Sequence, residues 1–521
     1  LKFVAEQAFV CSTDFVLEGC MMKTKQRQAK TRASAATTGV MAWQDDPISK
    51  MPALAQPVPD LKKPPLRFKI KGPALKPGIY PAGSPGFRYW AAAEALRRGG
   101  DFWAPILGVK SWEPGPVLQV GLDGGVDFNA YYDRTELAFF HDTADGQIVY
   151  SGESPDIVCH EMGHACLDAY RPQLWDTPFI EAGAFHESFG DMSAILSASQ
   201  LPSVRTAALS GVAQGKPSFL SRLAEQLGWA IRQSSPDAVD SDCLRNACNS
   251  FHYVDPNTLP DSAPADKLCA EVHSFSRIFT GAFYEILSGM LDIRSKKPTE
   301  DDLAAVALDW ALLLLDATAA APVRPDFFAQ VASHVIDADT VRFHGKYRKA
   351  LTDTFVARKI IPASSVQPLL DSKSKLSKQA LAFAAHVTRP AREVGMHKVN
   401  LPAKDFGLPA GDLVVQVPLE QKPALMVSST LLHGETANND AFEQASHRFV
   451  SMLFAHDRID TGNVRRSRVT ASPQRGTKRV ASPRKDRTGE QLPRIHTHAL
   501  VKAGKGLRLV RRLFVCGCLP R

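Results

Sequence analysis

The chain has 521 residues, of which 44% are hydrophobic and 22% charged, an ordinary globular composition with length for two to four domains. No run of 18 uninterrupted apolar residues occurs, and the nearest stretch, residues 303–323, carries Asp309 and Asp316 and so reads as a buried helix rather than a membrane span. The net charge of +8 is a local property: from Asp457 onward there are 17 Lys+Arg against 4 Asp+Glu, so the residues before it are mildly acidic.

Residues 1–65 are polar, then rich in proline (Pro47, Pro52, Pro57, Pro59, Pro64, Pro65), and read as a flexible leader. No signal peptide is read there, since Lys2, Glu6 and Asp14 interrupt the first residues. Residues 66–170 read as a β-rich lobe, with strands at 116–121 and 137–140 around a helix at 89–98, ending in a helix at 156–170. A helical lobe follows over 171–360, with helices expected at 181–199, 217–233, 273–290, 301–318, 325–338 and 342–358. Residues 361–456 read as a small appended α+β region, with strands at 412–418 and 424–429 and a helix at 441–454. Beyond 457, Ser-Pro pairs and Arg/Lys clusters read as disorder. The fold class is therefore α+β. The nine scattered cysteines form no disulfide framework, and only Cys243 and Cys248 are close enough to suggest a local bridge.

The most informative stretch is His160-Glu161-Met162-Gly163-His164. Residues four apart share a helix face, so both imidazoles can reach one Zn²⁺ while Glu161 points at its open position. A surface helix with an exposed His pair gives the same five letters, so context decides. A catalytic zinc wants a third protein ligand, and Glu187 on the next expected helix can supply it. Asp191, four residues on, can accept a hydrogen bond from the far nitrogen of a ligand histidine and fix its tautomer.

His160-Glu-Met-Gly-His164 with Asp168, followed by Glu187-x-x-x-Asp191, resembles the thermolysin-like metallopeptidases, a branch of the gluzincins. Asn129-Ala-Tyr-Tyr132, Asp145-Gly-Gln147, Asp156-Ile-Val-Cys-His160, Cys243-Leu-Arg-Asn246 and Val272-His-Ser-Phe-Ser276 are similar to further blocks of that family, in family order, over residues 87–357. The resemblance implies a zincin fold with a β-rich N-terminal lobe, an active-site helix and a mostly helical C-terminal lobe. It implies zinc held by His160, His164 and Glu187, Glu161 as general base, and His273 as oxyanion donor. Arg245, Asn129 and the backbone of Ala130 would hold an extended peptide substrate. Ile148, Ile157 and Leu244 would line an apolar pocket for the residue after the cut.

Three departures mark a divergent relative. The interval 166–178 offers Tyr170 too early and Trp175 near the place where the family puts an oxyanion-assisting Tyr. His186 replaces the usual Asn before the third ligand. Of the family's calcium carboxylates only Asp156 has an obvious counterpart, which leaves calcium in doubt. The function expected is that of a zinc endopeptidase acting on peptides or proteins. The alternative is a catalytically impaired zincin fold serving as a peptide-binding scaffold. Nucleic acid or an acidic surface is the weaker reading of the basic tail, because most such runs are simply solvated. The compartment stays open: cytoplasmic by default, secreted by resemblance.

Overall fold

The computed structural model describes residues 39–371, 396–409, 411–418, 439–464, 466, 495–504 and 506–516. Its architecture is α+β. The first difference from expectation lies in the leader. Strands β1 (Gly39–Trp43) and β2 (Ala53–Pro57) form an antiparallel hairpin. Val40 and Ala42 turn inward at strand period, and Ala42 packs against Phe87 and Ala91 of helix α1 (Pro85–Leu107). From residue 39 the flexible leader is thus ordered. Its alternation is carried by small residues, which a composition reading passes over.

Strands β3 (Phe68–Ile70), β4 (Leu118–Gly121), β5 (Ala130–Tyr132) and β6 (Glu136–Phe139) form a mixed sheet ordered β5-β6-β4-β3, with β5 antiparallel to β6. A hairpin of β7 (His141–Ala144) and β8 (Gln147–Tyr150) leads into α2 (Pro155–Tyr170), the HEMGH helix. Ser154 caps α2 by accepting from the Ile157 N–H at 3.4 Å, Pro155 opens it, and Asp156 sits in the first turn facing the positive end of the helix dipole. Pro172 follows its end as expected.

The helical lobe comprises α3 (Ile180–Ala198), α4 (Pro202–Ala213), α5 (Glu225–Arg232), α6 (Val272–Arg294), α7 (Glu300–Ala320), α8 (Phe327–Phe343), α9 (Arg348–Ala357) and α10 (Val366–Asp371). The single helix expected at 217–233 is instead a short strand, β9 (Arg222–Leu223), followed by α5. Ala224 between them adopts a left-handed conformation (φ 52°), and β9 pairs with β10 (Arg245–Asn246). Helix α7 is long and apolar enough to cross a bilayer but is largely buried in the fold. Its two interrupting acids are both partnered: Asp309 accepts from Tyr347 Oη at 2.5 Å, and Arg342 pairs with Asp316 at 2.8 Å. The six described cysteines are all free, so Cys243 and Cys248 form no bridge.

Helix α3 begins with a buried acid, Glu181, which accepts from the Phe328 N–H at 2.8 Å and from Tyr253 Oη at 2.7 Å. Burial pushes its carboxyl from 4.5 up to about 8, with those two donors opposing. The native state therefore holds this proton more tightly than the unfolded chain does. Stability from the group is fully present below pH 4.5 and is lost as pH rises through 8. Glu181→Gln, which mimics the protonated acid, should flatten that slope of up to roughly 1.4 kcal/mol per pH unit. Urea denaturation of both proteins at pH 5.5 and 8.5 checks this; parallel losses in the two would sink the assignment.

The appended region is α+β, but it takes strands from the chain's basic end. β11 (Met396–Pro402), β12 (Asp412–Pro418), α11 (Asn439–Ala455), β13 (Ile459–Asp460), β14 (His498–Ala503) and β15 (Gly506–Arg511) build a five-stranded sheet ordered β11-β12-β15-β14-β13 with one helix. The disorder expected from 457 is therefore overturned for these strands. Their inward apolar residues, such as Ala499 and Leu509, are outnumbered by neighbouring Lys and Arg. The strand expected at 424–429 lies outside the described residues. Arg448 of α11 ties the region to the helical lobe through Asp261 at 2.5 Å, and Phe442 packs edge-on to Phe179. After β15 the chain crosses to the first sheet as β16 (Phe514–Val515), antiparallel to β5.

Candidate metal centre

Helices α2 and α3 meet glycine to glycine, and the site follows from that approach. A Cβ on Gly163 would lie 2.7 Å from Ser193 Cβ and 3.0 Å from Gly190 Cα, and one on Gly190 would lie 2.6–2.8 Å from three atoms of the His160 ring. The ring of His160 thus lies directly on α3. This brings Glu187 Oε2 to 3.4 Å from His160 Nε2 and 3.7 Å from His164 Nε2. All three atoms are buried, and among the described residues none has a hydrogen-bond partner. Metal–ligand bonds of 2.0–2.1 Å at tetrahedral angles separate ligand atoms by about 3.4 Å. The two separations from Glu187 lie near that spacing, and leaving these buried polar atoms without a compensating partner would be costly.

The opposite nitrogens of both histidines are held. His160 Nδ1 meets Asp191 Oδ1 at 3.0 Å, which is the contact expected of Asp191. Arg245 in turn grips Asp191, with Nη2 2.7 Å from Oδ1 and Nε 3.1 Å from Oδ2. Burial resists ionisation of Asp191, but the Arg245 guanidinium and His160 hold it well below the usual carboxylate range. His164 Nδ1 meets His186 Nδ1 at 2.8 Å, so one ring donates and the other accepts. Burial, then the neighbouring His160, keeps His164 far below its ordinary value, whereas His160, against burial, is held up to about 9 by Asp191 and Glu187. The sequence marks His186 only as a departure, yet it is the residue that holds the His164 ring. His186→Ala should weaken zinc affinity by about 10- to 100-fold, measured by competition with a chromophoric chelator; an unchanged affinity would show that His164 needs no partner.

Glu161 projects into the same cluster with His160 and His164. Neither of its oxygens has a hydrogen-bond partner among the described residues, and burial pushes its carboxyl up to about 8 against the pull of His160. His273, on the first turn of α6, places Nε2 3.3 Å from Glu187 Oε2, while Nδ1 lies 2.7 Å from Glu271 Oε1. Glu271 also caps α6, accepting from the His273 and Ser274 N–H groups. It was missed in the sequence, though an acid two residues before a candidate histidine at a helix start is a readable signal.

The sequence matches no protein-family model and no curated protein.

Asn129 is buried, its Oδ1 accepting from the Ala130 N–H at 2.9 Å and its Nδ2 donating to Asp127 at 3.3 Å. The Ala130 carbonyl accepts from the Cys516 N–H at 2.9 Å. Tyr170 donates to the Leu315 carbonyl, away from the centre, and Trp175 packs against Tyr132 and Phe514. Leu244 lines a cavity of about 520 Å³ beside His273, with Ala238 and Val239. Ile148 and Ile157 do not line it, the first being half exposed and the second core. Near the start of α2 the fold brings Asp45, Asp46 and Glu225 to Asp156, where Ser154 Oγ and the backbone N–H groups of Ala224 and Gln226 donate to the cluster. Burial raises all four carboxyls.

Proposed function

We propose that the chain is a zinc-dependent metallopeptidase of thermolysin-like architecture, most simply an endopeptidase. The observation that carries this reading is the convergence of three buried atoms, His160 Nε2, His164 Nε2 and Glu187 Oε2, beside Glu161, all without a hydrogen-bond partner among the described residues. Zinc bound there would supply Lewis-acid polarisation of the scissile carbonyl and a water acidic enough to lose its proton near neutral pH. Glu161, buried beside His160 and His164, would be the group placed to take a proton from such a water and pass it to the leaving amine. His273, held by Glu271, donates toward the oxygen on which charge develops. The edge of β5 at Ala130 pairs with an extended peptide. Leu244, Val239 and Ala238 favour an apolar side chain after the cut.

The alternative, a zincin-fold scaffold without efficient turnover, has one observation in its favour: the hydroxyls of the interval 166–178 are engaged elsewhere, Tyr170 with the Leu315 carbonyl and Thr177 with that of Gln173. Chelator-stripped protein reloaded with one equivalent of Zn²⁺ should hydrolyse casein and quenched peptides. Failure to bind zinc stoichiometrically would overturn both readings, and bound zinc without turnover, even with residues 514–516 displaced from the edge of β5, would leave the scaffold.

A further inference from the structure

Residues 514–516 run along the edge of β5, where the peptidase reading places substrate. Phe514 registers with Tyr132 and Val515 with Tyr131, antiparallel, and the Cys516 N–H donates to the Ala130 carbonyl at 2.9 Å. The segment's contacts go beyond covering a sheet edge. The Val515 carbonyl oxygen lies 2.5 Å from His273 Nε2, the same nitrogen that faces Glu187. The Phe514 ring stacks on His186 at 3.9 Å and on the metal-site histidine His164 at 4.9 Å, with Trp175 against its edge. Phe514, Val515 and Cys516 are all buried.

We infer that the C-terminal strand is an intramolecular, substrate-like ligand of the metal site, and that a peptide reaches the site only when this strand leaves it. The inference rests on the peptidase reading for its consequence, while the occupancy itself rests on the contacts above. An incoming peptide needs the same Ala130 carbonyl and the same His273 nitrogen, so the two cannot bind together. The strand also holds a kinetic and mass-action advantage. β15 is fixed in its sheet, and Arg511 anchors the connection through its N–H to Asp176 and its Nε to the Trp175 carbonyl. Only two residues separate β15 from β16, so the local concentration of the strand is about millimolar or above. A segment with weak intrinsic affinity then still excludes micromolar substrate.

The test uses the full chain and Phe514→Gly/Cys516→Pro, which removes the ring over the histidines and the N–H donated to Ala130. Hydrolysis of a quenched peptide is measured together with binding of a fluorescein-labelled peptide of residues 508–516, by anisotropy. The double variant, loaded with one zinc, is expected to hydrolyse at least tenfold faster than the native chain and to bind the labelled peptide, which in turn inhibits it competitively. Cys516→Pro alone, which leaves the aromatic packing, should move both readouts less and in the same direction. A folded, zinc-loaded double variant that neither binds the peptide better than native nor gains activity overturns the inference. Gained binding with no hydrolysis by either protein supports the occupancy and overturns the peptidase reading instead.

Discussion

Glu161→Gln is expected to keep its zinc and lose between about 10² and 10⁴ of turnover, the range assigned to a positioned general acid–base group. The substitution leaves His160, His164 and Glu187 untouched, so metal content by elemental analysis should stay at one per chain. It also exchanges a buried carboxyl lacking any partner among the described residues for a neutral amide of the same shape. Burial opposes ionisation of that group, so the melting temperature should hold or rise. A fall in turnover that merely followed a fall in stability or zinc content would mean Glu161 is structural. The measurement is cleanest with Phe514→Gly/Cys516→Pro as the parent, where access of substrate does not limit the rate. A residual loss of only twofold to threefold there would remove Glu161 as the base.

The motif helix and the approach of Glu187 to it were legible because the spacing of these residues is periodic. His160 and His164 are four apart, as are Glu187 and Asp191, and each spacing reports one helix face. What stayed hidden is what the fold brings together from distant segments. Nothing near residue 514 marks it as lying on His164, 350 positions away, and a Lys/Arg-rich stretch scores as solvated whatever its few apolar residues touch. Asp45 and Asp46 sat in a proline-rich stretch, yet their burial beside Asp156 joins the leader hairpin to the start of the metal helix. The helix expected across Ala224 failed for a local reason that propensity does not carry. A left-handed alanine there turns its N–H onto Asp156, and the chain breaks into strand and helix.

The glycines were the unread part of the motif. Gly163 filled a variable position of HExxH and Gly190 a variable position of Glu187-x-x-x-Asp191, but together they set how closely α3 approaches His160. Gly190→Ala would put a methyl 2.6 Å from His160 Cε1 and 2.7 Å from Nδ1. That ring cannot swing aside without breaking its contact with Asp191, which Arg245 holds in place. Alanine gains about 1 kcal/mol of helix propensity over glycine, while forcing an extra methyl into a packed interior costs about 1–3 kcal/mol. The net loss of stability is therefore modest, on the order of 1 kcal/mol. The larger effect should fall on the metal, because a tilted His160 no longer presents Nε2 to the point shared with Glu187. Zinc affinity is expected to drop by tenfold or more, with turnover falling in step. Gly99→Ala is the matched control, since its methyl would meet mainly the sulfur of Met162 at 3.0 Å, on a side chain that can yield. Equal zinc affinity for the two variants, by chelator competition, would show that α3 does not need to approach His160 this closely to complete the site.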